Sequence, residues 1–192
     1  MTKRILIVSA NPKAQSLGQS LVANYQQRAK QLFDLRYFDL AEASFDPVLK
    51  EGYDRIQPLE DDLVSFQEDL RWCEHLVLVT PVWWGTMPAK LKGLFDRAFL
   101  PGYAFKYHEG KSFPEKLLQG RTAHLVLTLD TPVWYYRWWQ RMPVVHQLKK
   151  AILGFVGIKT TKVTYFGPVI QSQSDHRQLW LRQMSKMGQL GL

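Results

Sequence analysis

Residues His75-Leu76-Val77-Leu78-Val79-Thr80 form a run in which odd and even positions are both apolar. A strand with one wet face would alternate, so this run predicts a strand covered on both sides, as in the centre of a parallel sheet flanked by helices. Parallel neighbours require crossover connections, usually helical, and the chain supplies them in alternation. Residues 3–9 and 123–129 repeat the buried-strand pattern, Leu35, Tyr37 and Phe38 mark a second strand, and residues 161–166 a last one. Between them Leu17, Leu21, Val22, Tyr25 and Ala29 recur at helical spacing behind Ser16, a residue type suited to an N-cap. A second helix opens on Glu60-Asp61-Asp62, where the macrodipole favours acid, and reaches Trp72. A third runs through Leu91, Leu94, Phe95 and Ala98 behind Pro88. Residues 144–156 and 175–187 complete the set, and residues 45–58 carry the turn residues of a long loop.

This order predicts one domain over residues 1–192, of the α/β class: a doubly wound, five-stranded parallel sheet of order 2-1-3-4-5 with helices on both faces. In such sheets ligands bind beyond the carboxyl ends of the strands, at the switch point between strands 1 and 3. The loops after Ser9 and Thr80 therefore carry the functional expectation. The first, from Asn11 to Gly18, leads into a helix N-terminus, where the backbone N–H groups of Ser16, Leu17 and Gly18 and the Ser16 hydroxyl can meet an anion. An ordinary capped helix is the competing reading. The loop contains neither Gly-x-Gly-x-x-Gly nor a Walker A motif, which disfavours a classical dinucleotide domain and a nucleotide triphosphatase. No Gly-x-Ser-x-Gly elbow is present, and the five histidines and Cys73 show no metal-ligand spacing, so no metal site is expected.

The loop after Thr80 is more specific. It reads Thr80-Pro81-Val82-Trp83-Trp84-Gly85-Thr86-Met87-Pro88-Ala89-Lys90-Leu91-Lys92-Gly93-Leu94-Phe95-Asp96-Arg97. This segment resembles the flavin-binding loop and following helix of the NAD(P)H:quinone oxidoreductases, the DT-diaphorase type of flavodoxin-like fold, a three-layer sandwich. Asp39-Leu40 with Phe45-Asp46-Pro47-Val48-Leu49, and Ile152-Leu153-Gly154-Phe155-Val156-Gly157, resemble two further segments of that family. The resemblance implies a flavoprotein that takes hydride from NAD(P)H at the flavin N5 and delivers it to a quinone-like acceptor. It implies a ring framed by Pro81, Val82, Trp83, Trp84 and Gly85 and by Thr128, Leu129, Asp130 and Thr131, with Asn11, Ser16, Leu17 and Gly18 at the phosphate. Tyr136 matches by spacing the family tyrosine beside the flavin, and the residues from Trp134 to Trp139 are expected in the acceptor pocket. The partner histidine falls in a gapped stretch where Arg137 or His146 is the substitute; for His146 a structural role on a helix face stays equally open. Asp130-Thr131 stands where the family has paired glycines. Asp175-His176-Arg177 resembles the segment whose arginine grips a diphosphate, which inclines the reading to FAD, with FMN the alternative. A homodimer whose neighbour completes each active site is implied in the same way.

Charge bears on partners. The formal net charge is +8, and it is uneven: residues 1–96 carry 11 basic and 13 acidic side chains, residues 97–192 carry 14 and 4. A basic half suits nucleic acid, a membrane surface or phosphorylated small molecules. The bases are scattered among apolar residues with no run of five, which disfavours nucleic acid. The rival class, a non-enzymatic flavin electron carrier or a transporter's regulatory subunit, fits less well, because flavodoxin-type carriers are strongly acidic. Neither a signal-peptide pattern nor a window of about 20 apolar residues is present, so no membrane insertion and a cytoplasmic location are the expectations.

Overall fold

The computed structural model describes residues 2–192. The elements are β1 (Arg4–Ser9), α1 (Leu17–Ala29), β2 (Asp34–Asp39), α2 (Asp61–Trp72), β3 (His75–Pro81), α3 (Ala89–Ala98), β4 (Phe105–Lys106), β5 (Glu115–Lys116), β6 (Thr122–Thr128), α4 (Val133–Trp138), α5 (Pro143–His146), a π-helical stretch (Gln147–Ile152), α6 (Leu153–Val156), β7 (Lys159–Phe166) and α7 (Ser174–Leu190). The main sheet has the order β2-β1-β3-β6-β7, all pairs parallel. This is the expected 2-1-3-4-5 order once the short antiparallel β4–β5 ribbon is set aside.

The two apolar faces of β3 are buried in different cores. Leu76 and Leu78 point into a layer that includes Leu63, Phe66, Leu91, Leu94 and Leu125. Val77 and Val79 point into a layer with Leu21, Tyr25, Val126 and Met184, built by α1 and α7. The close approach of those two helices depends on Gly188, where a Cβ would press on the Tyr25 backbone.

The structure departs from the expected elements at several points, one of them the short helix α4, which is absent from the expected set. The β4–β5 ribbon has two residues per strand, too few for a periodic signal. The helix expected over 144–156 contains a π-helical middle, and Gly154 is what lets the Lys149 carbonyl come within 2.5 Å of where a Cβ would be. The last helix runs three residues beyond its expected end, to Leu190.

The family-like helix α3 has two jobs. Leu91, Leu94 and Phe95 fill the core. Lys90, Gly93 and Arg97, on an adjoining face, hold the loop from Ala43 to Glu60. Lys90 Nζ donates to the Ala43 carbonyl at 2.7 Å. A Cβ on Gly93 would stand 2.6 Å from the Pro47 carbonyl oxygen. Arg97, 1% exposed, donates to the carbonyls of Asp46 (2.5 Å) and Pro58 (2.7 Å) and pairs with both Glu60 oxygens at 3.2 and 2.8 Å.

Candidate functional site

The carboxyl ends of β1, β3 and β6 lie side by side, and each releases one loop of the site. At the first, the Ala10 N–H donates to the Val79 carbonyl (2.8 Å), so this loop starts locked to β3. Asn11 Oδ1 accepts from the Lys13 N–H at 3.0 Å. Ser16 caps α1: its Oγ accepts from the Gln19 N–H, and Gln19 Oε1 accepts from the N–H groups of Gln15 and Ser16, a reciprocal capping box. Gln19 Nε2 donates to Asp39 Oδ2 (3.0 Å), the oxygen that also accepts from the Tyr37 hydroxyl (2.7 Å), tying this helix end to β2. Capping leaves the N–H groups of Leu17 and Gly18, the first two of the helix, without an intrahelical acceptor. They stand at the positive end of the α1 dipole, a suitable seat for an anion. A Cβ on Gly18 would meet nothing closer than 3.4 Å, so packing within the chain does not demand glycine there.

At the second loop, the Val82 N–H donates to the Thr128 carbonyl (2.8 Å), binding it to the end of β6. Trp83 and Thr86 exchange both backbone hydrogen bonds, at 2.8 and 2.9 Å. The two residues between them, Trp84 and Gly85, have φ of +52° and +76°, the pattern of a type I′ hairpin turn. Glycine accepts that conformation freely, whereas tryptophan is strained by it. Trp84 is wholly exposed and Trp83 half-exposed. The N–H groups of Trp84 and Gly85 take no part in the hairpin's two bonds. An apolar cleft of about 450 Å³ runs past Trp83, Trp84, Thr86, Met87 and Lys92. A second, of about 360 Å³, shares Lys92 with it and is walled by Tyr53, Phe105, Tyr107 and Phe155. Thr86 Oγ1 donates to Gln147 Oε1 (3.2 Å) where they meet.

The third loop sends its four residues in different directions. Thr128 lies next to Val82, and Thr131 is half-buried at the loop's outer turn. Leu129, by contrast, continues the sheet: its side chain is buried, its N–H donates to the Phe166 carbonyl and its carbonyl accepts from the Val169 N–H. Asp130 Oδ1 accepts from the Ile170 N–H (3.0 Å), so the residue standing in place of a glycine links this loop to the one after β7.

Two site expectations are corrected by side-chain direction. Tyr136 is 0% exposed and packs in the core against Tyr165, ring centroids 6.1 Å apart. Burial raises its pKa, with the backbone N–H groups of Val144 and Val145 pulling the other way. In this conformation it belongs to the hydrophobic core. The reason is helical: Val133 and Tyr136, three apart on α4, face inward, which turns Trp134, Tyr135 and Trp138 outward. Tyr135, half-buried, stacks on Trp139 at 6.2 Å and 22°. The other correction concerns Arg177. It donates through Nε to Ser172 Oγ (2.8 Å) and through Nη2 to the Val169 carbonyl (3.3 Å), so in this conformation it braces its own loop. His146 is exposed at the end of α5, its N–H bonded to the Met142 carbonyl, with no side-chain partner among the described residues. The lone Cys73 is buried, and desolvation pushes its thiol up to about 12, the opposite of a reactive thiolate.

The flavodoxin-like fold family matches residues 3–187. A Haemophilus influenzae protein named as an uncharacterized NAD(P)H oxidoreductase is 25% identical over 85% of this chain and 83% of its own. An FMN-dependent NADH:quinone oxidoreductase from the same organism is 30% identical, covering 70% of this chain and 67% of its own. The crystal structure of Smu.1420 from Streptococcus mutans superposes with a TM-score of 0.80 at 27% identity, over 97% of this chain and 98% of that one. The flavin named for such a relative is FMN, against the FAD to which Asp175-His176-Arg177 inclined the sequence reading. With β1 between β2 and β3 at the switch point of its sheet and the family's match running over residues 3–187, the chain belongs to the flavodoxin-like fold family, in the company of NAD(P)H:quinone oxidoreductases.

Proposed function

We propose that this chain is an FMN-dependent NAD(P)H oxidoreductase acting on quinone-like acceptors. The observation that carries the reading is the meeting of three loops at one end of the sheet, fastened to each other by Ala10–Val79 and Val82–Thr128, with the Leu17 and Gly18 N–H groups at the helix start beyond the intrahelical bonding pattern. The N–H groups of Leu17 and Gly18, with the Ser16 hydroxyl, would hold the phosphate of the flavin. The backbone from Val82 to Gly85, with Thr128 and Thr131, would frame the ring edge, and Trp83 would offer it an aromatic surface. The flavin, when bound, accepts a hydride at N5 and passes two electrons onward.

The residues of the chain bind, orient and exclude water. The paired clefts beside Trp83 and Lys92 are apolar enough to seat a planar acceptor, and at their shared wall the Lys92 ammonium is paired with both Asp96 oxygens at 2.6 and 2.8 Å. The overall reaction consumes one NAD(P)H, one proton and one quinone and yields NAD(P)+ and the quinol. The test is direct: purified protein carries FMN, identified by mass after denaturation, and oxidises NADH or NADPH faster with menadione than without it. A colourless protein that takes up neither FMN nor FAD, or a flavoprotein indifferent to menadione, overturns the proposal.

A further inference from the structure

The loops at the carboxyl end of the sheet leave most of the positive charge of the second half of the chain unused. Part of it collects at the opposite end. A cavity of about 500 Å³ opens where β7 begins, between the turn that follows β5 and the segment formed by the π-helical stretch and α6. Lys116, Lys149 and Lys159 stand around it, and among the described residues no Asp or Glu lines it. Lys116 Nζ donates to the Gly154 carbonyl (2.8 Å), which fixes one ammonium at the wall. The side chains of Lys149 and Lys159 have no hydrogen-bond or ion-pair partner among the described residues. Glu115, the acid next to Lys116, lies on the other face of the ribbon and bonds His108 at 2.7 Å. Glu74, just before β3 at the same end of the sheet, accepts from the Arg4 N–H at 3.0 Å.

Fixed donors accompany the lysines. Gly120 is left-handed, with φ +82°, and the N–H groups of Gln119, Gly120 and Arg121 have no acceptor among the described residues. Successive free N–H groups at such a turn make a concave seat for an anion. The wall behind them is tight: a Cβ on Gly157 would stand 2.8 Å from Gln119 Cγ and 3.1 Å from Lys116 Cβ.

We propose that this cavity binds a small molecule carrying a diphosphate or longer phosphate chain, and that its occupancy is felt in the apolar cleft beside Lys92. Three ammonium groups without a counter-charge repel one another, and a polyanion held among them removes that cost. A monophosphate leaves part of the charge unmatched. A nucleic acid needs an extended basic stripe rather than one local hollow. The link to the cleft is the π-helical segment. Lys149 and Gly154 wall the cavity, while Gln147, Ala151 and Phe155 of the same segment wall the cleft. Bulges of this kind are frequent at functional sites, and an anion that draws on Lys149 shifts the segment both spaces share. The cavity lies away from the loops after Ser9, Pro81 and Thr128, so its binding stands without the flavin reading.

The experiment is calorimetric titration of the full chain with pyrophosphate and with ADP, beside orthophosphate and sulfate at matched ionic strength. Pyrophosphate and ADP are expected to bind and orthophosphate to bind more weakly. Tighter binding of ADP than of pyrophosphate assigns a nucleotide, and equal binding assigns the phosphate chain alone. Lys149→Gln with Lys159→Gln is expected to lower pyrophosphate affinity by about tenfold for each lysine removed. Circular dichroism and the thermal midpoint check that the variant is folded. Amide NMR is expected to show pyrophosphate shifting Gln119 and Gly120 and, across the π-helical stretch, Ala151 and Phe155. Absence of heat and of shifts with folded wild-type protein overturns the site. So does sulfate binding as tightly as pyrophosphate, or wild-type affinity in the double variant. Shifts confined to Gln119 and Gly120 overturn the link to the cleft. Flavin content enters none of these outcomes, so the two readings fail separately.

Discussion

At the scale of single residues, the tip of the second loop concentrates cost without visible return inside the chain. Trp84 is left-handed, wholly exposed and packed on nothing that would repay the strain. Releasing a non-glycine residue from this region is worth about 1–2 kcal/mol. Trp84→Gly is therefore expected to raise the thermal midpoint by a few degrees, about 2–4 °C per kcal/mol for a chain of this size. The same change is expected to weaken flavin binding, read as lower FMN retention. A fall in midpoint would show that the indole packs in solution. Residues one apart can also differ completely in role. Tyr136 and Tyr135 are neighbours in sequence, yet one is core and the other half-buried. An offset of about 100° per helical residue separates them, and counting along the chain is blind to it until the helix start is known.

At the scale of elements, α3 carries the most recognisable stretch of sequence, and much of that stretch serves the fold. Its arginine lies 37 residues from Glu60 and 51 from Asp46, and the bonds among them close the loop before α2 onto the sheet. Burial raises the Glu60 pKa, but the Asp46 N–H and Arg97 more than offset this, and the net direction is down. Arg97→Met would leave two carbonyls without their donor and Glu60, 35% exposed, with only the Asp46 N–H. Unpairing buried acceptors in this one-sided way costs about 1–3 kcal/mol, so a drop in the thermal midpoint of roughly 5 °C is expected. Gly93→Ala should also destabilise, since the added methyl meets Pro47 backbone rather than a movable side-chain end. If urea unfolding of both variants matched wild type, the loop clamp would be refuted.

At the scale of the whole molecule, pH acts through two histidines in the sheet. His75 Nδ1 bonds to Thr122 Oγ1 (2.7 Å) and His124 Nε2 to Thr164 Oγ1 (2.8 Å), both rings buried. Desolvation lowers His75 to about 3, helped by Lys3 and His124. It lowers His124 to about 4 against an opposing contribution from the Leu192 backbone. In the unfolded chain both titrate near 6.5, so on acidification the unfolded state takes up protons first. The stability from keeping them neutral is whole above about pH 6.5 and declines as pH falls toward the folded values. By pH 5 the loss is on the order of 1–2 kcal/mol per histidine. The urea midpoint should fall between pH 7 and 5, and His75→Gln with His124→Gln should flatten that slope. An unchanged slope in the double variant would assign the acid sensitivity elsewhere.

The sequence by itself determined the strand and helix order, the sheet order and the three loops where a ligand can sit. These follow from periodicity and from the geometry of crossover connections, which are local or topological and need no knowledge of distant contacts. Only the tertiary structure decided what the loop residues do. Leu129 joined the sheet, Asp130 and Arg177 turned to neighbouring backbone, Tyr136 went inward, and Trp84, Trp134, Trp138 and Trp139 were left in solvent. Each of those outcomes depends on which partner lies across the fold, often forty residues away, and on the direction in which a short helix turns its side chains.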